Sequence, residues 1–498
     1  MDNPMRKEYE HVFINNEWVA NSSGQSIDVV NPATEEVIGR APLAGIAECE
    51  LAIAAARAAY NEGSWRRMGF ADRAVVLNRY LDVILARAMD ITSIIVQESG
   101  HSFGITFSIC VKAAIDICRR QLEISREGFD QYTPVVTAPN PLDGYKTTNA
   151  QASVVVRKPL GVVAAIVPFN ACFMLSLVKS IPALAMGNTV VLKVSEQTPL
   201  EGLLLGDLAL EADLPAGLLN IITGKPEVGN CLTAHTDVDV VSFTGSDAVG
   251  SAIMAQGAPS LKRLLLELGG KSASVVLKDA NLKDAAMFGA GNSVAMAGQG
   301  CALSTRHIVH NSVIDEYVAK LSRMLWAMPI GNPMVPYTQM GPLISAKQRD
   351  RVEQFVALAR EEGGKVVTGG RRPSHLEKGF FYEPTIITGL SNSSRVCQEE
   401  IFGPVIAVIG FDSEEEAISI ANDSQYGLSG AIFSQDRGKA FHLGQQIETG
   451  YININPTAVS PDLNAPFGGI KRSGFGREWG EEGLKEFSYQ QTLTYPIG

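Results

Sequence analysis

The chain has 498 residues, too many for one hydrophobic core, so two or three domains are expected. Apolar residues make up 46% and charged residues 19%, a globular balance that argues against disorder. The net charge of −11, with no basic stripe, argues against nucleic-acid binding, which needs clustered Lys and Arg.

The N-terminal MDNPMRKEYEHVF has no apolar h-region, so no signal peptide is expected. The first clear helix covers 72–98, where Val76, Leu77, Tyr80, Leu81, Ile84 and Leu85 recur at three- and four-residue steps. A second helix is expected over 104–125. Residues 133–147 carry turn formers and three prolines and read as a connector into ASVVVRKP, an alternating or edge strand. GVVAAIVPF at 161–169 is too short to cross a bilayer and reads as a buried strand, so no membrane association is expected. From there GVVAAIV, TVVLKV, LLNIITG, VVSFTG and ASVVL alternate with helices near 174–186, 199–212 and 247–257. Near-continuous apolar strands separated by helices predict a parallel sheet covered on both faces.

A second set follows ELGGK. Helices near 282–298, 312–327, 345–363 and 413–423 alternate with VVTGG, EPTIITG, PVIAVIGF, GAIFS and GYINI. The C-terminal YQQTLTYPIG is polar and strand-like, and is expected to pair with another element or another subunit. Seven cysteines, widely spaced and without CxxC or HExxH, predict neither a disulfide framework nor a metal site; they read as reduced thiols of a cytoplasmic protein.

Three segments can carry chemistry. In VSFTGSDAVG (241–250) a strand runs into Thr244-Gly245-Ser246 and a helix opens. Free N–H groups there would hold a phosphate, or the segment is an ordinary strand–helix turn. No GxGxxG occurs. In GNTVVLKVSE (187–196), Lys193 and Glu196 fall just past a strand's carboxyl end, where open sheets place ligands. A carboxylate there can accept both hydroxyls of an adenosine ribose; the alternative is a surface ion pair. In ELGGK (267–271), Glu267 follows an apolar run. It can have a raised pKa and take a proton from water, or it is a solvated strand end. A fourth stretch, GQGCALSTR (298–306), leaves Cys301 among neighbours too small to cover its sulfur.

Together with VPFN, GPLIS, EEIFGPV, GLSGAIFS and PFGGIKRSGFGRE, these segments fall in an order that resembles the NAD(P)-dependent aldehyde dehydrogenase family over nearly the whole chain. The resemblance implies an α/β fold with two Rossmann-like open-sheet domains, one cofactor-binding and one catalytic, plus a small β bridging element. Residues 1–135 and 159–267 would bind NAD, 268–478 would be catalytic, and 136–158 with 479–498 would join subunits into a homodimer or homotetramer. It also implies that Cys301 is the nucleophile and that Asn170, with the Cys301 backbone N–H, holds the oxyanion. Glu267 would activate water, and Lys179 and Glu478 would relay protons beyond it. Ile166, Lys193, Glu196, Gly245, Ser246, Gly250, Glu400 and Phe402 would contact the coenzyme. Glu196 favours NAD, since a 2′-phosphate beside a carboxylate is repelled, although NADP remains open if Lys193 compensates. Asp247 departs from the family's turn and should weaken phosphate binding unless it caps the helix and points away.

The resemblance puts Ala171, Met174, Leu175, Val178, Ala295, Val459 and Pro461 along the substrate tunnel. None is charged and several are small, which predicts a roomy apolar channel for a bulky or hydrophobic aldehyde. A quaternary-ammonium aldehyde would want an aromatic cage instead. Three other readings remain. A CoA-acylating dehydrogenase is opposed by Glu267, and a fold without turnover by the retention of Cys301, Asn170 and Glu267. A cysteine hydrolase is opposed by the lack of an acid partner for His307.

Overall fold

The computed structural model of the chain describes residues 8–457 and 462–497. Its first sheet has the strand order Glu17–Ala20, His11–Ile14, Leu219–Ile222, Thr189–Lys193, Val162–Ile166, Val240–Thr244, Arg263–Glu267, Gly474–Phe475. The five strands from Leu219–Ile222 to Arg263–Glu267 run parallel, and the flanking strands run antiparallel. Val162–Ile166, Thr189–Lys193 and Val240–Thr244 are buried at every residue, as strands covered on both faces must be. Val163 and Ala165 pack into one apolar cluster, and Val162, Ala164 and Ile166 into another on the opposite face.

The chain moves outward from Val162–Ile166 to Leu219–Ile222, then returns to the other flank at Val240–Thr244. That reversal opens a crevice at the carboxyl ends of the two strands. The second sheet runs Lys365–Thr368, Thr385–Thr388, Val405–Phe411, Ser304–His310, Ser272–Val276, Ser429–Phe433, Tyr451–Ile454, parallel except at the Lys365–Thr368 edge. The expected α/β class with two open, largely parallel sheets is therefore what the chain adopts.

In the small sheet, Thr148–Pro159 lies between Ser488–Pro496 on one side and Gln131–Tyr132 and Val136–Pro139 on the other. It is central rather than an edge, and the C-terminal strand finds its partner within the same chain. Among the described residues, no helix is long and apolar enough to cross a membrane.

Several helices differ from the sequence reading. The 72–98 segment divides into Phe70–Ala86 and Ala88–Ser99, because Arg87 leaves the helical region at φ −104°, ψ 12°. The 104–125 helix contains a π-helical stretch, Thr106–Ala113. The 282–298 helix stops at Val294, since Met296 and Ala297 turn left-handed at φ 52° and 55°. Helix Ile46–Glu62 is not legible in the sequence because alanines lie on both its faces, Ala52 and Ala56 buried and Ala54 and Ala58 exposed.

Beneath the helices covering the first sheet, two carboxyls are buried together. The Glu98 carboxylate accepts the Leu200 and Glu201 N–H groups at 2.7 and 2.9 Å, which caps helix Leu200–Glu211. Glu201 Oε2 accepts from the Phe173 N–H at 3.0 Å, and its Oε1 has no hydrogen-bond partner among the described residues. Burial raises Glu98 to about 8 despite those N–H groups. Burial, then the neighbouring Glu98, raise Glu201 well above the carboxylate range. Both folded-state pKa values lie above those of the unfolded chain. The stability they contribute is therefore complete below about pH 4.5 and is lost as pH rises toward and past 8. Melting temperature should fall between about pH 6 and pH 9, and Glu201→Gln should flatten that fall by at least ~2 °C in a melting series.

Candidate active site

Cys301 is held in a loop whose path requires glycine at two points of close backbone approach. Gly298 has φ +75°, and a Cβ there would lie 2.1 Å from the Gly403 carbonyl carbon. A Cβ on Gly270, within ELGGK, would lie 2.2 Å from the Cys301 carbonyl oxygen. Both contacts are with backbone, which cannot step aside. Gln299 pins the loop: its Nε2 donates to Met296 O at 3.1 Å, and its Oε1 accepts from the Ile344 N–H at 3.0 Å. Its carbonyl accepts from Asn170 Nδ2 at 2.8 Å, which fixes Asn170 beside Cys301.

Cys301 stands on the wall between two cavities. One, of about 250 Å³, is lined by Asn170, Ala171, Met174, Leu175, Glu267, Ala295 and Glu478, among others. The other, of about 190 Å³, is lined by Pro168, Phe169, Gly245, Ser246, Glu400 and Phe402, among others. Cys301, Asn170 and Thr244 belong to both. The second cavity opens at the end of Val240–Thr244, beside the reversal point of the first sheet.

The electrostatics around the sulfur are dominated by burial. Burial pushes the Cys301 thiol up to about 12, with the Glu400 and Glu267 carboxylates adding to the rise and the residue's own backbone N–H opposing it. Glu267 is buried, and neither carboxylate oxygen has a hydrogen-bond partner among the described residues. Burial, then Glu478, raise its pKa well above the usual range, against the pull of Lys179 and Arg477. Glu400 accepts from the Gly270 N–H at 3.0 Å, and burial lifts it to about 7. Lys179, fully buried, donates to Glu478 Oε1 at 2.5 Å and to Ser242 Oγ at 3.1 Å.

Most of the anticipated residues converge. Cys301, Glu267, Asn170 and Glu478 line one cavity, with Lys179 bonded behind Glu478. Gly245, Ser246, Glu400 and Phe402 line the other. Ile166 and Lys193 lie side by side at adjacent strand ends, and Lys193 Nζ is 3.8 Å from Glu196 Oε2. These three stand outside the second cavity's wall. Gly250 does too: a Cβ there would meet Leu268 at 2.7 Å, so it serves helix–strand packing. Val178 does not line the tunnel cavity but is buried in the helical core. Val459 and Pro461 lie outside the described residues.

Ser246 Oγ caps helix Asp247–Gly257 by accepting from the Val249 N–H at 3.4 Å. Asp247 accepts from the Ala248 N–H at 2.9 Å and from Arg472 Nε at 2.8 Å, so its carboxylate is drawn to Arg472. Arg306 is buried, donating to Lys271 O, Asn392 Oδ1 and Ala421 O at 2.9 Å, and lines neither cavity.

The sequence reading names Thr244 only as part of the turn and does not anticipate the wall formed by Ile105, Ile109, Tyr451, Phe467 and Trp479. Thr244, Phe467 and Trp479 lie within or beside the sequence motifs, but nothing in those motifs tells which side chains turn inward.

The chain matches the family model for the aldehyde dehydrogenase family over residues 18–493. Chloroplastic betaine aldehyde dehydrogenase of Beta vulgaris is 38% identical, covering 98% of this chain and 96% of its own length. A putative aldehyde dehydrogenase of Staphylococcus aureus is 37% identical, covering 97% and 98%. The crystal structure of a Mycobacterium tuberculosis aldehyde dehydrogenase complexed with NAD+ superposes with a TM-score of 0.92 at 39% identity, covering 99% of both chains. A betaine aldehyde dehydrogenase from Staphylococcus aureus in complex with NAD+ gives 0.92 at 33%, covering 98% and 94%.

With its thiol near 12, Cys301 should alkylate slowly with iodoacetamide at neutral pH in the coenzyme-free protein. The rate at Cys301, read by peptide mass mapping, should climb about tenfold per pH unit toward about pH 11. A plateau already reached near neutrality would contradict a sulfur buried in this way.

Proposed function

The chain belongs to the aldehyde dehydrogenase family, and from that premise we propose that it oxidises a hydrophobic aldehyde to the carboxylic acid with NAD as electron acceptor. The observation that carries this is the Cys301 thiol on the shared wall of two cavities, one largely apolar and one opening at a strand–helix turn. The turn cavity fits the coenzyme. Its Thr244 hydroxyl is buried and unpartnered among the described residues, and Ser246 opens an eleven-residue helix whose N-terminus favours phosphate. Gly245, Ser246, Glu400 and Phe402 would hold it, with Lys193 and Glu196 toward the adenosine. The Glu196 carboxylate supports NAD over NADP.

In this reading the Cys301 thiol loses its proton to solvent water as its sulfur adds to the carbonyl carbon from the apolar side. The developing oxyanion is met by the Cys301 backbone N–H and by the Asn170 amide hydrogen not already given to Gln299. NAD, when bound, would supply the acceptor for the aldehyde hydrogen and its electron pair. The acyl group remains on Cys301 as a thioester. Glu267, made more basic by burial, removes a proton from water as that water attacks, which releases the acid and returns the thiol. The pair of Lys179 and Glu478, reaching Ser242, supports passage of that proton away from the site. Residues 1–135 and 159–267 would form the coenzyme unit and 268–478 the catalytic unit, with Gly474–Phe475 returning to the first sheet. Residues 136–158 with 479–498 would join two or four copies.

Stopped-flow absorbance tests this. Cys301→Ala should form no NADH from any aldehyde. Asn170→Ala should lose about 10²–10³ in kcat. Glu267→Gln should give one NADH per site and then turn over about 10²–10⁴ more slowly, because only thioester hydrolysis is impaired. In the wild type, kcat should rise with pH on a limb above the ordinary carboxylate range, and that limb should vanish in Glu267→Gln. The free acid should remain the product when CoA is added; acyl-CoA would overturn the assignment to hydrolysis.

A further inference from the structure

The tunnel cavity has an aromatic side that none of the anticipated tunnel positions supplies. Tyr451, Phe467 and Trp479 all line it. Phe467 and Trp479 are stacked, with centroids 4.8 Å apart and planes 28° from parallel, and Tyr451 lies 6.0 Å from Phe467 at 51°. Ile105, Ile109, Met174 and Leu175 also line the cavity and are aliphatic or thioether side chains.

Trp479 is held in a conformation that L residues avoid, φ 62° and ψ 170°. Its neighbours impose it. Glu478 and Phe467 exchange backbone hydrogen bonds at 2.7 and 2.8 Å on one side. On the other, Gly480 packs so closely that a Cβ would lie 2.4 Å from Asn464 O. A bulky indole kept at such a position calls for a function at the cavity it lines.

We propose that Trp479, backed by Phe467, is a specificity-determining residue that selects planar aromatic aldehydes. The inference rests on the apolar cavity being the aldehyde channel. A flat ring can lie on the stack while sulfur and methyl groups of Met174, Leu175 and Ile109 close over its edges and other face. A trimethylammonium group is served less well. A cage needs ring faces converging on one point, whereas two rings stacked on each other turn their free faces apart.

The test compares benzaldehyde with cyclohexanecarboxaldehyde, which has the same ring size without planarity, as a kcat/KM ratio. Taking the ratio across variants cancels the intrinsic reactivity of each aldehyde. Trp479→Leu should lower the ratio about tenfold, carried by KM, the size expected for loss of an aromatic stack. Trp479→Phe should keep it within about twofold. Phe467→Leu, which removes the backing ring, should lower it too and carries the test if Trp479→Leu does not fold. An unchanged ratio in the leucine variants, or better turnover of betaine aldehyde than of benzaldehyde by the wild type, would overturn the proposal. NADH formed from cyclohexanecarboxaldehyde in that event leaves the dehydrogenase reading intact; no NADH from any aldehyde would sink that reading instead.

Discussion

At two places in the site, backbone segments approach each other so closely that a glycine has no room for a side chain. Gly270 lies against the Cys301 carbonyl, and Gly298 against Gly403. This lack of space brings the end of the first sheet, with Glu267, against the loop that precedes Ser304–His310. It also sets where the two cavities meet. A methyl group at either glycine would have to push the facing backbones apart, and the rest of the site would lose its register.

Given that framework, the site keeps its ionisable groups out of water and mostly out of hydrogen bonds. Glu267 has no partner among the described residues, Glu400 has one backbone N–H, and Lys179 is saved from isolation by Glu478 and Ser242. Unpaired burial of carboxyls is costly, and it raises their pKa values toward the range where proton transfer at neutral pH is efficient. The Glu98–Glu201 pair shows the same physics away from the cavities, where burial acts on stability.

Strands were legible because β-branched residues buried on both faces leave nearly continuous apolar runs. Helices with alanines on both faces, such as Ile46–Glu62, leave no comparable contrast. The break at Arg87 and the left-handed Met296 and Ala297 are fixed by packing rather than by local residue type, so the periodicity ran straight across them. Within the site, Cys301, Asn170 and Glu267 could be named because their motifs are dense and ordered. Val178 was misplaced because its helix turns it into the core, while Tyr451 and Trp479 were overlooked because only the tertiary arrangement turns them inward.

Lys179 and Glu478 bond across 299 positions of sequence, and Gly474–Phe475 closes the edge of a sheet whose first strand is His11–Ile14. A ribosome must therefore deliver almost the entire polypeptide before the pocket can assemble. Until then the sulfur is an ordinary thiol on an incomplete scaffold, with neither cavity yet formed beside it.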